Sequence, residues 1–293
     1  MKILVLKANK QIYDLDFSEF ANNYGKETGN TYKMGYLDDL IFDFTDQIRV
    51  TIDNVDVLEY DMVYFRTWEK RPDAAVPLAK HLLRNSKRFV DTAVGVATYG
   101  SKVLQHYTLM SNGIKLPKTF VMHKNLLNLH IQKHIDLLGG YPAILKSTKG
   151  KEGQGVYLLN SFEDFLKNEN ELKDSQYFIQ EFIPNDFDYR FVVFGEEVAV
   201  VKKRVRNKNS DEFRNNVSLG AEVEYIDPKT LPELSEIALK AAKAKNLQVA
   251  GVDIVINKNN NEAYLFEANP SPAFKNDFTV LQYLDKYFKN ISL

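Results

Sequence analysis

The 293-residue chain contains no cysteine, which excludes disulfides, thiolate nucleophiles and cysteine-based zinc sites. It has no apolar run of about 18 residues, so nothing in it reads as a membrane span. A Gly-x-Ser-x-Gly nucleophile elbow is also missing. The histidines are His81, His106, His123, His130 and His134, and they do not cluster as metal ligands. His130 and His134 lie four apart on a predicted helix, where a surface or packing role is preferred over metal binding. An excess of either charge is lacking as well. Lys and Arg number 38 against 39 Asp and Glu, a formal net charge of −1. The chain therefore carries no field that calls for nucleic acid or a membrane surface as partner. The apolar run in MKILVLKANK ends at Lys7 and no small-residue cleavage site follows. No secretory signal is read, and a cytoplasmic location is expected.

What is present is a globular composition, 44% hydrophobic and 26% charged, with 19 Phe and 16 Tyr. That supports one large domain or two to three small ones. Patterning predicts strands over Met1–Val5 and Val55–Phe65, an amphipathic helix from Pro77 and a short strand in KRFVD. Polar, turn-rich segments lie between them, and residues 1–95 read as a small α/β domain. A second unit, 96–180, opens with a helix over Tyr99–Asn112, the extended KTFVM and a helix His123–Leu138 stopped by Gly139-Gly140. Its strands are Tyr141–Lys146, Val156–Leu159 and the start of Tyr177–Ile183, with a helix N-capped by Ser161. The third unit, 181–293, has a hairpin of Arg190–Phe194 with Val198–Arg206, a helix Leu231–Lys245, a hairpin of 251–257 with 263–269, and a last helix Phe278–Phe288. The polar stretch Asn207–Asn216 is read as a mobile loop.

Three features carry chemistry. The first is KSTKGKEGQGVYLL, which sets Gly150, Gly153 and Gly155 between two strands. Walker and dinucleotide loops need a helix after the glycines, so both are rejected. A flap over phosphates, with Lys146 reaching them from the strand end, and a plain hairpin loop both stay open; on the loop alone the plain hairpin is favoured.

The second is the hairpin GVDIVIN/AYLFEAN, which sets Asp253 opposite Glu267 and puts Glu267 and Asn269 on one face. Opposed carboxylates repel. Apolar neighbours (Val252, Ile254, Phe266, Ala268) imply burial, which raises the cost. A hard divalent cation relieves it, and an all-oxygen donor set suits Mg²⁺ or Mn²⁺. The competing reading is two solvated carboxylates.

The third is VKKRVRN, where Lys202, Arg204 and Arg206 share a face, with Arg190 on the partner strand and Arg214 in the loop beyond. Guanidinium groups on one face suit phosphate or carboxylate; a solvated edge strand is the alternative. Arg66, Trp68 and Arg71 end a predicted strand and could meet substrate, while Trp68 reads equally well as packing.

Five segments then occur in order: GSKVLQHYTLMSNGIKLPKTFV, YPAILKSTKGKEGQGVYLL, QEFIPNDFDYRFVVFGEEVAVVKKRV, EFRNNVSLGA and GVDIVI…LFEANPSP. Together they resemble the RimK-like (ribosomal protein S6 glutamate ligase-like) branch of the ATP-grasp superfamily from about residue 95 onward. The resemblance implies an α/β (α+β) ATP-grasp fold, with a small N-terminal domain before two subdomains that clamp ATP. It implies that Lys102 and Lys146 hold phosphates beside the flap glycines Gly153 and Gly155. It implies that Gln180, Glu181, Phe182 and Ile183 form the adenine-binding linker, that Asp188 lies near the ribose, and that Arg204 and Asn216 contact the nucleotide. Arg190 and Arg214 become the catalytic arginines, and Asp253, Glu267 and Asn269 the Mg²⁺ ligands. FRNN stands where the family has an FRSN-type segment, and VSLGA where it has HRGG-like residues, so the usual acceptor contacts are not expected there.

The implied activity is an ADP-forming carboxylate–amine ligase that works through an acyl-phosphate. A macrocyclase that forms ester or amide links in a ribosomal precursor peptide is the alternative, followed by a non-catalytic nucleotide-binding protein and a phosphotransferase. Partners would be ATP, a carboxylate, an amine or hydroxyl nucleophile on a small molecule, peptide or protein tail, and further copies of the chain as a dimer or tetramer. Glu267→Gln and Asp253→Asn are both expected to abolish turnover with the fold intact.

Overall fold

The computed structural model describes residues 1–8, 28–43, 48–96, 102–149, 155–173, 176–206, 221–270, 272 and 278–291. Among the described residues of the first ninety lie seven strands: β1 (Lys2–Lys7), β2 (Thr31–Tyr36), β3 (Ile41–Asp43), β4 (Arg49–Ile52), β5 (Val55–Asp56), β6 (Met62–Phe65) and β7 (Arg88–Val90). Four make a parallel sheet, β2-β1-β6-β7. A parallel sheet is covered on both faces. Leu4, Leu6, Val63 and Phe65 pack on helix α1 (Pro72–Arg84). Ile3, Val5, Met62 and Tyr64 face the opposite way, onto residues from the far end of the chain.

The structure departs from the sequence expectation in three places here. Val55–Phe65 is not one strand. Asp56 accepts the Leu58 N–H at 2.9 Å and starts a 3₁₀ turn, Val57–Glu59, that separates β5 from β6. Helix α1 begins at Pro72, a residue suited to a first turn, and carries Pro77 inside it. Strand β2 and the small antiparallel sheet β3-β4-β5 occupy stretches that had read as polar and turn-rich.

After the short helix α2 (Ala93–Val96), helix α3 (Lys102–Ser111) leads to the central sheet. This sheet is antiparallel, β10-β9-β11-β8, built from β8 (Thr119–His123), β9 (Ala143–Ser147), β10 (Val156–Leu159) and β11 (Gln176–Glu181). Helices α4 (Lys124–Leu137) and α5 (Phe162–Glu169) back it, with Leu127, Ile131 and Phe165 against Leu145, Leu159 and Ile179. Ser161 stands at the N-cap of α5 as expected, but its side chain makes no cap bond to the backbone; it hydrogen-bonds the Glu163 carboxylate.

The third sheet runs β14-β13-β12-β15-β16, from β12 (Phe187–Phe194), β13 (Glu197–Val205), β14 (Glu222–Ile226), β15 (Val249–Ile256) and β16 (Ala263–Asn269). Strand β13 is internal, not the edge strand considered above, because β14 covers it. One face packs Phe191, Val193, Val252 and Ile254 on helix α6 (Pro232–Ala244). The other carries Val192, Phe194, Val200 and Val249 into the core shared with Ile3, Val5 and Tyr64. Helix α7 (Phe278–Asn290) sits in that shared core through Val280, Leu284 and Phe288. Its Asp285 accepts hydrogen bonds from Thr28 (3.1 Å), Asn30 (3.2 Å) and the Tyr32 hydroxyl. Residues 207–216, expected to form a mobile loop, lie outside the described residues. Among the described residues no helix is long and apolar enough to cross a membrane.

The joint between the first and third sheets holds a fully buried carboxylate. Asp91 Oδ1 accepts the backbone N–H groups of Gln248 (2.5 Å) and Val249 (2.6 Å), and Oδ2 has no hydrogen-bond partner among the described residues. Burial raises its pKa well above the ordinary carboxylate value, against the pull of those two N–H groups. The folded state then holds a proton that the unfolded state releases, so stability falls as pH climbs from the unfolded carboxylate pKa towards the folded one. Asn keeps the Oδ1 acceptor and carries no charge. Asp91→Asn is therefore expected to match or exceed the parent protein in urea unfolding at pH 7, and to lose that advantage as pH approaches 4. An advantage that grows on acidification would contradict the assignment.

Candidate active site

The face of the third sheet that begins in the shared apolar core becomes polar one step along each strand. Pairing places Tyr225, Lys202, Arg190, Asp253 and Glu267 in one row across five strands. Asp253 stands opposite Glu267, as the sequence predicts, and Asn269 stands opposite Gly251 on the next same-face step. Gly251 has a reason to be glycine: a Cβ there would lie 3.2 Å from Arg190 Nη1 and 3.1 Å from Pro272 Cβ. Its absence lets the Arg190 side chain lie across β15 towards Asp253.

Two arginines and two aspartates interlock. Arg190 donates through Nε to Asp253 Oδ1 and through Nη2 to Oδ2 at 2.7 Å. Arg204 grips Asp188 with two bonds, 2.6 and 2.8 Å, and its Nη2 reaches Asp253 Oδ1 at 3.0 Å. Burial works to raise the Asp253 pKa, but Arg190 and Arg204 outweigh it and hold the carboxyl below its usual range. Burial pushes Asp188 up to about 6 against the pull of Arg204. Arg204 and Asp188, expected at the nucleotide, are each 7% exposed and engage each other. The strand that looked like a phosphate-binding face thus spends one arginine on internal support. Arg206 donates to the Asn185 backbone and side chain, and Lys203 pairs with Glu224 at 3.7 Å.

The metal reading can be tested on donor geometry. Glu267 and Asn269 are half-buried, and neither side chain has a hydrogen bond among the described residues. On Asp253, Oδ1 serves two donors and Oδ2 one, which leaves Oδ2 a further lone pair. Among the described residues no three His, Asp or Glu side chains gather. Two carboxylates and one amide oxygen, with the other positions filled by water or a ligand's phosphates, suit Mg²⁺. The residues present fit that ion.

Next to this row a pocket opens between α3, the central sheet and β16. Lys102 and Lys146 line it with Gln180, and Leu109, Leu116, Phe178 and Phe266 supply apolar walls. Lys146 pairs in register with Val156 and Phe178. The register shifts between Asp253 and Ile254, so that Glu267 and Leu265 are paired and Phe266 is the extra residue of a bulge. Phe266 is 40% exposed, not buried with Val252 and Ile254 as the alternation had implied. Gln105, His106, Phe178 and Phe266 were missed in the sequence. Gln105 and His106 follow Lys102 by three and four positions, the spacing of one helix face, and that signal was available. Burial, then the nearby Lys146, lowers the His106 pKa.

Gln180 donates to Thr119 Oγ1 at 2.9 Å, and the Glu181 carboxylate accepts the Lys118 N–H at 2.7 Å. Phe182 is half-buried, and Ile183 is buried against Val255 and Tyr264. Gly155 has φ +66°, and a Cβ there would lie 2.9 Å from Ser147 Cβ, so hairpin closure alone requires glycine. Gly153, Arg214 and Asn216 lie outside the described residues. Trp68 belongs to the core of the first sheet, Arg71 pairs with Asp38 and Asp73, and Arg66 is buried at the end of β6.

Comparison with known proteins agrees with this architecture. "Probable alpha-L-glutamate ligase 2" of Shewanella frigidimarina (strain NCIMB 400) is 31% identical over 191 residues, 64% of this chain and 61% of that protein. The chain thus spans about three fifths of the length of that curated relative. The solved structure of the ATP-grasp ligase PsnB, complexed with a phosphomimetic variant of its minimal precursor, Mg and ADP, superposes with a TM-score of 0.71 at 16% identity, covering 98% of both chains. The macrocyclase MdnC bound with precursor peptide MdnA, from Microcystis aeruginosa MRC, gives 0.66 at 14% identity and covers 99% of both. These likenesses establish the ATP-grasp fold. The profile of the RimK-like ATP-grasp domain matches residues 100–282, which takes in the pocket, the Arg190–Glu267 row and more than half the sequence; the chain belongs to the RimK-like ATP-grasp family.

Proposed function

We propose that this protein is an ATP-dependent, Mg²⁺-requiring ligase that activates a carboxylate as an acyl-phosphate and joins it to an amine, releasing ADP and phosphate. The observation that carries the reading is the Arg190–Asp253–Glu267 row beside a pocket with two lysines and apolar walls. The base of ATP would lie between Phe178 and Phe266, near the Gln180–Ile183 segment. Lys102 and Lys146 would hold its phosphates, and Gly153 and Gly155 would belong to the flap over them. Asp253, Glu267 and Asn269 would hold Mg²⁺, which neutralises charge on the phosphates when bound. A substrate carboxylate attacks the γ-phosphorus and ADP leaves. Arg190, with a side chain 21% exposed, faces the transferred group and stabilises its charge; Arg214 and Asn216 would act from the loop beyond. The amine then attacks the acyl carbon, phosphate departs, and the amine gives up its proton. Catalysis rests on positioning and charge more than on a general base. In this reading residues 1–95, 96–180 and 181–293 are the three structural units, with α7 returning to the first.

A second reading is an ester- or amide-forming modifier of a ribosomal precursor peptide. The near-complete overlap with an ATP-grasp ligase and a macrocyclase whose structures hold their precursors favours it. ADP release from ATP and Mg²⁺, measured with amino acids and acidic peptides as added substrates, tests both. Release that depends on one carboxylate–nucleophile pair supports a ligase and names its class, and ATP binding without release on every mixture counts against both. In the same assay Lys146→Ala should raise the KM for ATP by about tenfold or more, the loss of one charge-assisted phosphate contact. An unchanged KM would remove Lys146 from the phosphate site.

A further inference from the structure

We propose that Lys245 is a positioning residue that fixes the Glu267–Asn269 strand against the nucleotide pocket through a closed set of hydrogen bonds with Gln105 and Ala268. The inference rests on the metal assignment above. Lys245 follows α6 and donates from Nζ to Gln105 Oε1 at 2.8 Å and to the Ala268 carbonyl. The same Gln105 oxygen accepts the Ala268 N–H at 3.1 Å. Three groups from three elements therefore share one ring of bonds.

Its location gives the ring a function. Strand β16 is the edge of the third sheet, so its outward-facing backbone groups need partners from outside the sheet. Leu265 finds one in the Lys115 carbonyl at 2.9 Å. Ala268 is fully buried and finds both of its partners in the Lys245–Gln105 pair. Ala268 lies between Glu267 and Asn269, whose side chains have no hydrogen bond among the described residues. Their direction is therefore set by the backbone of β16, and the ring fixes that backbone at Ala268, between the two. The other end of the ring is Gln105, one helical turn beyond Lys102 and part of the pocket wall. A compact ammonium with three donors can serve both acceptors at once; a thioether of similar length serves neither.

The test is Mn²⁺ binding to the full chain in the presence of ADP, read from the free-ion electron paramagnetic resonance signal. Groups that orient metal ligands are typically worth 10–100-fold in metal affinity, so Lys245→Met should weaken Mn²⁺ binding by about tenfold or more. Metal-free ADP affinity should change less. Gln105→Leu should weaken Mn²⁺ binding too, and the double variant should lose less than the product of the single losses, because both substitutions open the same ring. A purely structural lysine would lower the melting temperature and leave Mn²⁺ affinity alone. That result, or strictly multiplicative losses, would overturn the inference. If Lys245→Met fails to fold, Lys245→Gln, which keeps one donor arm, should fall between parent and Gln105→Leu; parent-like affinity there would overturn it equally. Failure of the parent protein to bind Mn²⁺ with ADP would overturn the metal assignment itself, a separate outcome from a normal parent with an unaffected variant.

Discussion

Glu267→Gln is expected to keep its fold and lose ADP formation by about 10²–10³-fold, the scale of removing one preorganised charge contact from a transition state. Asp253→Asn is expected to lose activity and stability together. The sequence treats the two carboxylates alike, as opposed ligands of one ion. The structure separates them. Glu267 is half-buried and has no hydrogen bond among the described residues, so an amide of the same shape breaks no bond and removes only the charge that favours the buried Lys245 ammonium. Asp253 is 8% exposed and accepts from both Arg190 and Arg204. Neutralising it leaves two guanidinium groups facing an amide that donates on one side. Breaking a buried pair from one end costs about 3–5 kcal/mol. Urea unfolding and ADP release, measured on both variants, separate the roles. Equal stability in the two would remove Asp253 from the support network, and near-normal Mg²⁺-dependent turnover in Glu267→Gln would end the metal assignment.

That contrast shows what the sequence could reveal. The hairpin of 251–257 with 263–269 was legible from strand alternation and a short polar connection, and centring it near Asn260 sets Asp253 against Glu267. In the structure the pairs nearer the turn, Ile254 with Leu265 and Ile256 with Ala263, would carry Asp253 to Phe266, and a bulge brings Glu267 opposite it instead. The bulge was not legible. One extra residue opposite Asp253 and Ile254 turns Phe266 into the pocket, and nothing in AYLFEAN marks it. Alternation also put Arg204 on the right face, yet could not say which acid would claim it. Asp188 lies on the adjacent strand and Asp253 one strand further. The Lys245–Gln105 contact spans 140 positions, and no local pattern encodes it. Strand β2 escaped notice although TYKMGY alternates exposed Thr31 and Lys33 with partly buried Tyr32, Met34 and Tyr36, because the run is short and its apolar face is only half-buried.

Arg204→Met is expected to be the most destabilising of the arginine substitutions, by about 3–5 kcal/mol in urea unfolding followed by circular dichroism. Its side chain is 9% exposed, against 21% for Arg190, and among the described residues it alone contacts both Asp188 and Asp253. Among the described residues, removing it leaves Asp188 with no counter-charge in direct contact, while Asp253 keeps Arg190. Asp188 already titrates high, at about 6, because burial outweighs its partner; without that partner it would take up a proton at higher pH still, so the defect should ease in mild acid. Arg204→Met combined with Asp188→Leu should recover a good part of the loss, since an apolar pair of similar volume often replaces a buried ion pair without penalty. Arg190→Met should lose less stability, because its side chain is the more exposed of the two, and more activity in the proposed role beside the transferred group. If Arg204→Met instead unfolds like the parent and only raises the KM for ATP, the arginine belongs at the nucleotide after all and the interlocked pairs are not what braces Asp253.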